Sequence, residues 1–117
     1  MRRLPHIFKE GSSLFVTWHL HGSLPRERYP PAAFVWMDRY LDTTREGPQW
    51  LSGQIAQVVE DVLRRQECEL HAYAIMPNHV HVLLTPKILP SELMQSIKGA
   101  SAREANRHFS NMSLTTI

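Results

Sequence analysis

A single cysteine, Cys68, leaves nothing for a thiol to pair with in 117 residues, so an internal disulfide is excluded and a reducing compartment fits. Glu67 and Glu69 flank it, and their charge raises a thiol pKa rather than lowering it, which argues against a cysteine nucleophile. No apolar run approaches the roughly 20 residues of a membrane-spanning helix. The opening MRRLPHIFKEGSS also lacks the hydrophobic segment of a secretory signal, and the expectation is a cytoplasmic protein with no membrane partner. Repeats and low-complexity tracts are absent. Charge of one sign is scarce as well: 13 Lys and Arg against 11 Asp and Glu give +2, so composition alone does not announce a nucleic-acid binder. The distribution is less even. Residues 1–28 carry five basic and two acidic groups, residues 87–117 four and two, and residues 38–69 four and seven. Basic ends around an acidic middle can set a positive field on one side of a fold, which suits a phosphate backbone, although ordinary solvated surface gives the same counts.

Patterning predicts one domain. Leu14 to His21 alternates apolar Leu14, Val16, Trp18 and Leu20 with Phe15, Thr17, His19 and His21, the period of a half-buried strand ended by Gly22 and Pro25. Phe34, Met37, Tyr40 and Leu41 are spaced for the inner side of a helix that Gly47 and Pro48 would close. Ser52 is placed to cap a second helix with Ile55, Val58, Val59, Val62 and Leu63 at i, i+3, i+4, i+7 and i+8. Leu70–Met76 and His79–Thr85 read as strands joined by a Pro77-Asn78 turn. Ser91 is expected to cap a third helix whose inner side carries Leu93 or Met94, Ile97, Ala100 and Ala105. Strand, helices, strand, strand, helix is the order of a ferredoxin-like split βαβ unit. The tail SNMSLTTI shows no amphipathic pattern, so the closing strand is expected to be missing unless the tail pairs in a way the pattern does not reveal.

The chemistry concentrates in Ala74–Leu84, AIMPNHVHVLL. On a strand, His79 and His81 share one face, and two neutral imidazoles at i and i+2 can converge on one metal ion while Val80, Val82 and Leu84 enter the core behind them. Such a pair can also contact phosphate or simply be solvated. His19 and His21 form a second pair of the same spacing, so at least one of the two can be structural. The later pair is favoured because its strand is more apolar behind it and Met76-Pro77-Asn78 gives a rigid entry. His71 reads as an ordinary strand residue. Lys98, Arg103 and Arg107 lie on one helix and could track a DNA backbone, or form a solvated face. Trp18, Trp36 and Trp50 could stack bases but sit at positions that suit core packing.

The string Tyr73–Leu84, YAIMPNHVHVLL, resembles the HUH signature of the insertion-sequence-200-like, single-tyrosine transposases. Val16–Pro25, VTWHLHGSLP, is similar to the first strand of the branch associated with repetitive extragenic palindromes, and Leu93–Arg107 to the helix after the signature. The resemblance spans residues 12–107 and implies a single transposase domain over 1–117, α+β and ferredoxin-like, that cuts and rejoins single-stranded or hairpin DNA. It implies Mg²⁺ or Mn²⁺ on His79 and His81, polarising the scissile phosphate while a tyrosine attacks to form a 5′-phosphotyrosine. In the family that tyrosine, and a polar third ligand one turn after it, belong to a helix farther downstream than the 36 residues that follow His81. No catalytic residue is therefore assigned here; the tyrosine helix is expected beyond residue 117, and the chain reads as truncated. Tyr73 fits packing, and neither Tyr29 nor Tyr40 matches the nucleophile.

Two other readings compete. A histidine-triad nucleotide hydrolase alternates three histidines, but Leu83 stands where the third should be. A truncated remnant that binds DNA hairpins without cutting them is the non-enzymatic alternative. A homodimer is left open by the sequence, as are the third ligand and the DNA sequence recognised.

Overall fold

The computed structural model describes residues 11–25, 33–107 and 114–116. Tyr29, His6 and His108 lie outside the described residues. The elements run β1 (Leu14–Leu20), α1 (Phe34–Thr43), α2 (Gly53–Arg64), β2 (Cys68–Ile75), β3 (His79–Pro86), α3 (Pro90–Asn106) and β4 (Leu114–Thr116). The sheet is antiparallel throughout, in the order β2-β3-β1-β4, which is the ferredoxin-like arrangement. The closing strand expected to be missing is present. Leu114, Thr115 and Thr116 pair with Leu20, His19 and Trp18, and Leu114 enters the core. Three residues are too few to show a period, and register on β1 rather than local pattern makes them a strand.

Alternation sorts the strands onto two faces. Trp18, Leu20, Val80, Val82 and Leu84 pack with Ile55, Val59, Val62 and Leu63 of α2 and Leu93, Ile97 and Ala105 of α3 in one core. Residues of odd number on β1 and β3 face the opposite side, where α1 lies. In β2 a bulge between Leu70 and Ala72 shifts the parity, so that Cys68 and Leu70 and then Tyr73 and Ile75 reach the core side. His71, at the bulge, hydrogen-bonds Thr85 Oγ1 through Nε2 at 2.7 Å, as befits an ordinary strand residue.

Two helix boundaries differ from expectation. Ser91 is not the cap of α3: Leu89 holds that place and Pro90 is the first helical residue, where a missing N–H costs nothing and its fixed φ suits the helix. α1 ends at Thr43, four residues before Gly47. Gly47 instead brings the α1–α2 loop against the end of β1: its φ is +77°, and a Cβ there would sit 3.2 Å from the Gly22 carbonyl oxygen. The inner side of α1 also departs from the apolar stripe. Phe34 is 57% exposed, and Asp38 and Leu41 turn towards the sheet. Among the described residues no helix is long and apolar enough to cross a membrane.

Candidate metal centre

Met76-Pro77-Asn78 does more than turn the chain. The Pro77 carbonyl accepts the Leu51 N–H at 2.8 Å and the Asn78 carbonyl the Leu20 N–H at 3.0 Å, which clamps the β2–β3 hairpin between β1 and the approach to α2. Asn78 itself is buried. Its Nδ2 donates to the Leu41 carbonyl at 2.9 Å, satisfying one of the acceptors that the last turn of α1 leaves unpaired. That bond orients the amide. Oδ1 is left facing His79 Nδ1 at 2.6 Å, and because an amide oxygen only accepts, the proton of His79 resides on Nδ1. Nε2 of His79 is thereby left with a free lone pair.

That lone pair faces α1. His79 Nε2 lies 2.9 Å from Asp42 Oδ1, and His81 Nε2 lies 3.2 Å from Asp38 Oδ1. Yet His79 Nε2 and Asp38 Oδ1 are buried and make no aligned hydrogen bond among the described residues. The two rings meet edge to face with centroids 4.7 Å apart. One ligand atom from each of Asp38, Asp42, His79 and His81 falls within 4.8 Å of the other three, so these four residues could hold a metal ion. His81 is steadied from its other side, by Thr17 Oγ1 2.9 Å from Nδ1 and by Phe15 stacked on the ring at 5.4 Å. Beside it Phe15, Thr17, Phe34, Val35 and Asp38 line a cleft of about 270 Å³.

Burial, and then the neighbouring His81, push the pKa of His79 below its ordinary value against the pull of Asp42 and Asp38. Burial does the same to His19. Both rings are thus neutral near pH 7. The unfolded chain takes up protons near 6.5 that these two rings resist, so acidification favours unfolding. Denaturant unfolding of the metal-free protein over roughly pH 5–8 is expected to show stability falling below about 6.5. A rise on acidification would mean that Asp38 and Asp42 stabilise charged imidazoles instead.

The structure brings His79 and His81 together and separates the first pair. His21 falls beyond the end of β1 and is exposed, while His19 Nδ1 is engaged by Ser23 Oγ at 2.8 Å. Trp18 is buried in the core and Trp50 packs against it. Tyr73 lies on the core side of the sheet, donating its hydroxyl to Glu60 and accepting from Arg64 at 2.9 Å; the bond to Glu60 raises its pKa, the opposite of what a phenolate nucleophile needs. Tyr40 stacks on Trp36. Lys98 and Arg103 belong to α3, which packs on the face opposite His79 and His81, whereas Arg107 falls just past it as its C-cap; Arg103 and Arg107 are exposed and Lys98 half-buried. Asp38, Asp42 and the bridging role of Asn78 were missed from sequence. The available signal was two carboxylates at i and i+4, facing one way, with no basic residue in the last turn of the helix.

A split βαβ sheet with an H-x-H pair on its second central strand, facing away from the two core helices, defines a class of domain. The chain belongs to the family described as transposase IS200 like, whose profile matches residues 29–116. The ISDra2 transposase TnpA of Deinococcus radiodurans is 38% identical over 61 residues, a match taking in 47% of this chain and 44% of that protein. The chain thus spans less than half the length of this curated relative. Among solved structures, one from Deinococcus radiodurans R1 whose name assigns it to the transposases superposes with a TM-score of 0.58 at 18% identity, covering 100% of this chain and 85% of that one. A REP-associated tyrosine transposase bound to a REP hairpin gives 0.48 at 16% identity, covering 100% and 62%.

Proposed function

We propose that this domain, taken as one unit over residues 1–117, serves DNA transposition, engaging single-stranded or hairpin DNA at the open face of its sheet, with His79 and His81 holding the catalytic divalent cation. The observation that carries the reading is the Asn78 relay, which leaves a buried, neutral His79 with its Nε2 lone pair aimed at the same point as His81. A cation there supplies Lewis acidity to a phosphate oxygen, and Mg²⁺ and Mn²⁺ are the candidates. The protein's share is to keep the buried His79 imidazole neutral, to fix the planes of both rings through Asn78, Thr17 and Phe15, and to offer an apolar cleft beside His81 where a base could stack. Lys98, Arg103 and Arg107 lie across the sheet, so their role is contact with DNA flanking the cleavage point, where each adds salt-dependent affinity. The finer reading is strand cleavage in which a tyrosine attacks the phosphate and leaves a 5′-phosphotyrosine; Tyr40 and Tyr73 are engaged elsewhere and are not assigned that role.

Mn²⁺ is expected to tighten binding of a single-stranded oligonucleotide, and His79→Ala and His81→Ala to abolish that gain; equal gains in the variants would count against the site. A second reading, a DNA-binding remnant without strand cleavage, draws on the engagement of Tyr40 and Tyr73 elsewhere. A denaturation-resistant adduct between this chain and DNA in Mn²⁺ would rule it out.

A further inference from the structure

α1 carries an electrostatic arrangement that works against its own stability. Asp38 and Asp42 stand at i and i+4, where like charges repel. Asp42 stands in the last turn of the helix, where the macrodipole is already negative, and that turn has no basic residue to offset it. Asp38 Oδ1 is buried without a hydrogen bond, and so is His79 Nε2, although each has an oppositely disposed partner within 3.2 Å. Short contacts without hydrogen-bond alignment are what lone pairs produce when they point at a common centre rather than at each other. With its proton fixed on Nδ1, neutral His79 has nothing at Nε2 to donate to Asp42.

We propose that Asp38 and Asp42 are ligands of the same cation as His79 and His81, so that α1 supplies half of a four-ligand protein site and is clamped by the ion over the open face of the sheet. This rests on the preceding assignment of the two histidines. Two imidazoles and two carboxylates form a mixed N and O donor set, which suits Mn²⁺, Co²⁺ or Zn²⁺ better than Mg²⁺, an ion that keeps its waters and prefers oxygen. The two carboxylates also neutralise the ion, which relieves their mutual repulsion when it binds.

The test is calorimetric titration of Mn²⁺ into the full chain, with melting temperatures measured with and without the ion. Asp38→Asn and Asp42→Asn keep side-chain shape and remove charge. Each is expected to weaken Mn²⁺ binding roughly tenfold or more, to shrink the rise in melting temperature that Mn²⁺ produces, and to leave the metal-free melting temperature unchanged or higher because the repulsion is gone. Mg²⁺ is expected to bind the unaltered chain more weakly than Mn²⁺. Unchanged Mn²⁺ affinity in both Asn variants, with affinity lost in His79→Ala and His81→Ala, would overturn this ligand set while leaving the histidine assignment intact. Unchanged affinity in all four variants would remove both. A lower metal-free melting temperature with unaltered affinity would make the carboxylates simple ion-pair partners of the histidines and overturn the proposal.

Discussion

Asn78→Ala is expected to weaken the fold and the metal centre together. The substitution leaves the Leu41 carbonyl and the His79 Nδ1–H without their partners in a site that excludes water. Each stranded group costs about 1–3 kcal/mol, a large part of a stability that for such domains is roughly 5–15 kcal/mol. The imidazole also loses the bond that fixes its tautomer, so Mn²⁺ affinity should drop roughly 10–100-fold. Denaturant unfolding and metal titration on the same sample read the two effects. Asn78→Asp separates them: a carboxylate still accepts from Nδ1 but repels the Leu41 carbonyl, so affinity should suffer less than stability. If Asn78→Ala unfolds at the same denaturant concentration as the unaltered chain, the relay contributes nothing.

That one side chain shows where the sequence was legible and where it stopped being so. Local rules identified the 2.0 period that puts His79 and His81 on one face and Val80, Val82 and Leu84 on the other, and the 3.6 period of α2, because both are properties of neighbours in sequence. Pro77-Asn78 read as a turn, which it is. Its partners are Leu20, Leu41 and Leu51, each more than 20 residues away, and no spacing rule points to them. Asp38 and Asp42 were obscured differently. The apolar residues of α1 suggested a core-facing stripe, but this helix covers the open face of the sheet, where its inward groups answer imidazoles rather than valines. β4 escaped because three residues need β1 to become a strand. The bulge at His71, which reverses the faces of β2 partway along, likewise arises from pairing and not from the pattern of CELHAYAI.

Adjacent leucines on β3 give the sharpest test of the two-faced sheet. Leu84 is fully buried among α2, α3 and β1, whereas Leu83 is 37% exposed and lies opposite Phe15 on the face that carries His81. Leu84→Ala should destabilise by about 2–5 kcal/mol, since the lost transfer free energy is joined by a cavity that close-packed neighbours cannot fill. Leu83→Ala removes the same atoms from a surface already in contact with water and should cost about 1 kcal/mol or less. The ratio is more informative than either value, because a slip of one residue in the register of β3 would exchange the two leucines and carry the histidines into the core. Comparable losses in the two variants, measured by denaturant midpoint at constant m-value, would mean that β3 does not present His79 and His81 to the open face, and the metal centre would lose its footing along with the strand.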